Sequence, residues 1–320
     1  MRIPLLCGRV YVAQGDLHKK ERRTYTMKKK MLSTLVLTLA LVLVLLSNIA
    51  MADEHCAVLS RILKTGKMTA ALNCQAPPWR FHTIKNGEDT LAGFEVSMMY
   101  GFADFLSEKF GTEIKVDIQD MTFPGVLAAL QADQCDIAPS LAATAERREN
   151  MDFSIPYHRS LQTIVIRADR KDEEIFKPEN MLKGVTVSGL QGSSTVVTFS
   201  EHYPDAEVIL LDSNPDQVLA IANNKVDAGI FNEKYAILIC KANPDLMIDY
   251  DLAYDIPVER DPGSSLAFPK GSEELVALAD EWLTQIKSDG TFTNYETEAI
   301  MDLDDPSVLE QFSTLNILGK

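Results

Sequence analysis

From Lys67 onward the sequence alternates short apolar runs with segments whose apolar residues recur every three or four positions. That alternation restricts the chain to an α/β fold with a largely parallel sheet covered by helices. Met68 to Leu72 reads as a strand, and Glu113 to Ile118 and Asp136 to Ala138 read as two more. Phe94, Met98, Phe102, Leu106 and Phe110 mark one face of a helix that Gly111 ends. Val126 to Gln131 is also helical in pattern. A second series follows Arg167: strand Val185–Val187, helix Ser194–Phe199, strand Val208–Leu211, helix Pro215–Asn223 and strand Val226–Phe231. Leu275, Leu278, Trp282 and Ile286 form a last helical stripe, stopped around Asp289-Gly290. Two units of about a hundred residues each fit ordinary domain sizes.

The segment before this alternation reads as an export signal. Lys28-Lys29-Lys30 precede an apolar run from Leu35 to Leu46, and Ala50-Met51-Ala52 follows before Asp53. A basic start, a short apolar core and an A-x-A site describe a secretory signal peptide, with cleavage expected after Ala52. The competing reading, a membrane anchor, needs roughly 20 apolar residues. Met27 opens a better signal than Met1 does.

Charge gains meaning only after this separation. The chain of 320 residues carries 31 bases and 46 acids, net −15. Residues 1–52 hold nine of the bases and two of the acids, which leaves 22 and 44, net −22, for the remainder. Such acidity argues against nucleic acid or an anionic membrane as the main partner. Of the cysteines, Cys56, Cys74, Cys135 and Cys240 lie beyond the signal. An exported protein can pair them, but four cysteines allow three full pairings, and one bridge or none is equally open. Their spacing matches no zinc pattern, the histidines show no metal-binding pair, and no Gly-x-Ser-x-Gly elbow occurs, so no metal, cofactor or catalytic residue is expected.

Ligands of such sheets sit beyond the carboxyl ends of the strands. After Ala138 comes Pro139-Ser140-Leu141-Ala142-Ala143-Thr144, in which Thr144 is placed to cap a short helix carrying Glu146 and Arg147. A guanidinium beside free backbone amides suits a planar carboxylate; an ion pair of Arg147 with Glu146 or Asp152 is the plainer alternative. Gly189-Leu190-Gln191-Gly192-Ser193-Ser194 delivers two hydroxyls to a helix start, where ordinary capping needs only one. Trp79 and Phe123 lie on the corresponding rims, although packing in the core is the usual use of both types.

With these segments in view, the sequence resembles the periplasmic solute-binding proteins of polar amino-acid ABC transporters, bacterial extracellular family 3. The resemblance runs from about Leu63 to Tyr295 and is most specific over Thr144-Ala145-Glu146-Arg147 to Asp152-Phe153-Ser154-Ile155-Pro156-Tyr157. Gly93-Phe94-Glu95-Val96, Asp136-Ile137, Leu190 to Ser194 and Asp227-Ala228-Gly229 fall in the family's order. It implies a type II periplasmic binding protein: two mixed, mainly parallel sheets joined by two hinge strands, closing over a ligand. Lobe 1 would comprise 53–163 and 250–320, and lobe 2 would comprise 164–249. Arg147 would hold a ligand carboxylate, shared by Ser194, its neighbour Ser193 and the amide of Ala142. Ser140 would meet an ammonium, and Phe123 would stack on the ligand with Trp79 close by. The family's ammonium-binding aspartate is replaced by Asn232, which leaves the carboxylate half of the site intact and the ammonium half weakened. The implied protein is a monomeric periplasmic receptor for a small carboxylate-bearing solute, delivered to ABC permease subunits. The alternatives are a dehydratase of cyclohexadienyl acids on the same scaffold, with Glu233 as its acid, and a ligand-sensing partner of a signalling receptor. The ordinary reading of Glu233 is a helix-start glutamate facing solvent.

Overall fold

The computed structural model describes residues 55–85 and 87–303. The signal segment, its cleavage site after Ala52, Met27 as a start and the residues after 303 lie outside the described residues. Among the described residues no helix is long and apolar enough to cross a membrane.

Helix α1 (Ala57–Thr65) buries Val58, Leu59 and Ile62 and ends on Gly66 in the left-handed conformation. It leads into strand β1 (Lys67–Leu72), which pairs in parallel with β5 (Lys115–Asp120). Between them lie the short β2 (Gln75–Ala76), the hairpin β3 (Arg80–Lys85) and β4 (Glu88–Ala92), and helix α2 (Phe94–Phe110). The expected stripe of α2 is its buried face, with Phe94, Met98, Phe102 and Leu106 nearly inaccessible. Gly111 closes it at φ 63°, a conformation that costs glycine little.

Helix α3 (Phe123–Gln131) follows β5, capped by Thr122. The strand expected over Asp136–Ala138 begins two residues later, as β6 (Ala138–Ala142). Asp136 is instead a tie: its carboxylate accepts from Thr69 N at 2.7 Å and from Arg61 Nη2 at 2.7 Å. Helix α4 (Ala145–Asn150) and strand β7 (Met151–Phe153) come next. A returning strand, β13 (Ser264–Pro269), inserts antiparallel between β6 and β7. The first strand–helix series is thereby completed by residues from near the end of the described chain.

Those strands form three small sheets, β1-β5, β2-β3-β4 and β6-β13-β7, and a fourth, five-stranded sheet has the order β10-β9-β11-β8-β12. Strands β9 (Thr186–Leu190), β10 (Glu207–Leu211) and β11 (Ala228–Asn232) form its parallel part. They alternate with α5 (Ser194–His202), α6 (Asn214–Ala222) and α7 (Glu233–Ala242), close to the expected order. β8 (Gln162–Arg167) pairs antiparallel with both β11 and β12 (Leu246–Tyr254), so the segments entering and leaving this sheet lie side by side. The fold is two-lobed α/β, with mixed sheets connected by strands.

Helices α8 (Glu273–Ser288) and α9 (Thr291–Met301) pack beside α2. Leu275, Leu278, Trp282 and Ile286 point into the same apolar core as Phe94 and Phe102. A second core under the five-stranded sheet gathers Ile164, Val187, Phe199 and Tyr254. Cys56, Cys74, Cys135 and Cys240 are separate thiols.

Candidate functional site

One cleft, with a cavity of about 150 Å³, is lined by residues of the β6-β13-β7 sheet and of the five-stranded sheet, together with loops beside them. Arg147, Ser140, Ala142 and Phe123 line it from the β6 side. Ser193, Ser194 and Asn232 come from the five-stranded sheet, and Trp79 completes the expected set. The strand ends of two sheets thus meet where the fold rule places a ligand.

Arg147 is held by the loop that precedes its helix. Thr144 caps α4 as expected, its hydroxyl accepting from the Arg147 amide at 3.3 Å. The guanidinium then turns back: Nη1 donates to the Ala142 carbonyl at 3.1 Å and Nη2 to the Gly192 carbonyl at 2.7 Å. It lies over the Phe123 ring, 5.9 Å from the centroid, a cation–π arrangement. Neither acid considered from sequence pairs with it, and Asp152 binds Lys270 instead. Among the described residues Arg147 forms no ion pair. Burial lowers its pKa from the ordinary arginine value, while Asp261 and Glu146 oppose that fall.

Gly192 makes the opposite contact possible. It sits at φ 79°, where L side chains are strained, and so turns the chain from β9 into α5. Ser193 is the cap: its hydroxyl accepts from Thr195 N at 3.1 Å. Ser194 is left over, as two hydroxyls for one cap require. Its Oγ is not free, however, and donates to Asp261 Oδ2 at 2.9 Å. Asp261 also accepts from Gly263 N at 2.8 Å. The expectation that Ser194 faces a ligand carboxylate therefore omitted an acid already on that hydroxyl.

Ser140 carries backbone strain. Its φ is 66°, in the middle of β6, where a side chain costs on the order of 1 kcal/mol or more. A buried polar chain holds it: the Ser140 amide donates to Tyr157 Oη at 2.7 Å, and the Tyr157 hydroxyl donates to Glu95. Glu95 is in turn paired with Arg80, the two side chains being 0% and 8% exposed.

Trp79 is 3% exposed and packs against Phe94 and His158 at centroid distances of 6.3 and 5.8 Å, so core packing occupies most of its surface. Phe123 is 7% exposed and serves Arg147, a use that stacking on a ligand alone did not anticipate. Asn232 caps α7, its Oδ1 accepting from Tyr235 N at 3.0 Å. Glu233 does not face solvent: it is 3% exposed, burial raises its pKa, and Tyr250 bonds its side chain. It is also not part of the cavity lining.

Among the lining residues outside the expected set are His158, Arg159, Gln162 and Asp261. Asp261-Pro262-Gly263 is a legible turn signal, but its approach to Ser194 is a tertiary fact. His158 and Arg159 lie on the connection into β8 and Gln162 is the first residue of that strand, where the sequence carries no motif.

The model of the bacterial extracellular solute-binding proteins, family 3, matches residues 68–300. A probable ABC transporter extracellular-binding protein, YckB of Bacillus subtilis, is 28% identical over 229 residues, 71% of this chain and 76% of that protein. The arginine-binding extracellular protein ArtP of Bacillus subtilis is 33% identical over 190 residues, 58% of this chain and 69% of that protein. The substrate-binding protein AbpA of an amino acid ABC transporter from Streptococcus pneumoniae, solved with L-arginine, superposes with a TM-score of 0.67 at 23% identity. That match covers 76% of this chain and 98% of AbpA. The chain belongs to family 3 of the bacterial extracellular solute-binding proteins and is a periplasmic solute-binding protein.

Proposed function

From that membership we propose that the cleft captures a small carboxylate-bearing solute, an amino acid or a related organic acid, for delivery to an ABC permease. The observation that carries the ligand class is Arg147, a guanidinium in the cavity wall without an acid partner among the described residues. A guanidinium has five donors, and main-chain carbonyls take one from each terminal nitrogen. The remainder, with the loop amides around Ala142, suit a carboxylate better than any neutral group. Ser194 and Ser193 share that end of the site, Ser140 and Asn232 flank a second polar group, and Phe123 and Trp79 supply its apolar wall.

The lobes in this reading are 53–163 with 250–320, and 164–249, and the mature protein begins after cleavage at Ala52. A ligand touching both lobes in the closed state alone supplies the free energy of closing by that difference in contacts.

A thermal-shift screen of organic acids and amino acids tests the proposal. A ligand at about 100 times its dissociation constant stabilises by about 2.7 kcal/mol. Stabilisation is expected from carboxylates and not from their neutral amides. Equal stabilisation by both series removes the carboxylate assignment.

A further inference from the structure

Two side chains in the cavity wall carry a buried polar atom with no partner among the described residues: Gln162 Oε1 and His158 Nε2. Buried polar atoms are almost always paired, so two orphans in one wall ask for an explanation. Gln162 is 6% exposed, and its amide orientation is fixed because Nε2 donates to the Ser160 carbonyl at 3.2 Å. The atom left over is therefore an acceptor.

Its position matters more than its burial. Gln162 stands directly opposite Asn232 in the antiparallel β8–β11 pair, and opposite residues share a face of the sheet. Asn232 spends Oδ1 on the cap of α7. The acceptor beside it that is still available is Gln162 Oε1.

We propose that Gln162, flanked by His158, forms an uncharged hydrogen-bonding subsite beside Asn232. The cavity then selects carboxylates whose second polar group is a neutral donor, a hydroxyl or an amide N–H, over those that carry an α-ammonium. This rests on the carboxylate reading of Arg147. A hydroxyl exchanges one hydrogen bond for another on entering such a site. An ammonium loses its hydration and gains no counter-charge there.

The surroundings point the same way. Arg159 lines the cavity, and Lys234 and Lys287 lie close enough to help hold the His158 ring neutral. Asp261, the acid among the described lining residues, is engaged by Ser194 and Gly263 and lies near Arg147.

Isothermal titration with matched pairs tests the subsite: (S)-lactate against L-alanine, and (S)-3-phenyllactate against L-phenylalanine. The hydroxy acid is expected to bind about tenfold tighter in each pair. Gln162→Leu should lower its affinity by about tenfold and abolish the preference. Gln162→Glu, which adds the missing charge, should shift the preference to the amino acid. Tighter binding of the amino acids by the unaltered protein, or the same preference in both variants, overturns the subsite. Binding that is lost in Arg147→Ala but indifferent to Gln162 overturns the subsite alone. Acid binding untouched by Arg147→Ala overturns the carboxylate reading, and no binding of any probe overturns both.

Discussion

Arg147 Nη2 donates to the carbonyl of Gly192 at 2.7 Å, so the cation that precedes β7 reaches the helix start that follows β9. One side chain thereby joins the wall built on β6 to the wall built on the five-stranded sheet. A carboxylate bound at Arg147 meets both walls at once, which is the condition for a ligand to favour closure.

Arg147→Ala is expected to weaken binding of any carboxylate ligand by about 10- to 100-fold, the worth of one hydrogen-bonded charge. The circular dichroism spectrum should be unchanged, since the cap of α4 is the Thr144 hydroxyl on a main-chain amide and survives the substitution. Titration calorimetry on the variant measures the loss, and unaltered affinity contradicts the assignment.

Asp261→Asn should act in the opposite direction. The carboxylate on the Ser194 hydroxyl is a resident competitor for an incoming anion and repels it. Its removal is expected to tighten carboxylate binding by about three- to tenfold, the worth of one hydrogen bond. Weaker binding in this variant means that Asp261 contacts the ligand favourably instead.

Much of this site is written locally, and the rest is not. The α2 stripe and its glycine stop, the Thr144 cap and the Gly192-Ser193 turn follow from spacing and turn chemistry within a few residues. The Asn86-Gly87 dipeptide between β3 and β4 is likewise a hairpin signal that a reading centred on strand–helix units passed over. Gln162 carries no such signal, and the turn signal at Asp261-Pro262-Gly263 does not say what that turn approaches. Their roles arise from which segments pair across more than 60 residues, Asp261 with Ser194 and Gln162 with Asn232. Glu233 shows the same limit from the other side: a helix-start glutamate reads as solvent-facing until Tyr250 is brought against it.

Tyr157→Phe tests the support of the strained Ser140. The substitution removes the hydroxyl that accepts from the Ser140 amide and donates to Glu95, so the amide and Glu95 Oε1 lose that partner while Arg80 keeps Glu95 Oε2. A loss of about 1–3 kcal/mol in unfolding free energy is expected, read as a lower urea midpoint at unchanged m-value. A midpoint within error of the unaltered protein contradicts a supporting role for the chain of bonds.

His158 sets a pH dependence of stability. Burial first, then Lys234 and Lys287, pushes its pKa down to about 3, against roughly 6.5 in the unfolded chain. Between those values the unfolded state binds the extra proton, so stability rises with pH. The contribution of the neutral ring is fully present above roughly pH 6.5 and is lost as pH falls toward 3. Between pH 7 and 5 the protein should lose about 2 kcal/mol more than His158→Gln does, at about 1.4 kcal/mol per unit. Urea unfolding at the two pH values measures it, and parallel losses in both proteins contradict it.

The central claim, that the cleft recognises a carboxylate through Arg147, comes down to one comparison. Titration calorimetry of the tightest-binding acid from the screen, set against its own primary amide, isolates the charge with the rest of the solute held constant. The acid is expected to bind at least tenfold tighter, with the difference abolished in Arg147→Ala. Equal affinities for acid and amide in the unaltered protein contradict the account.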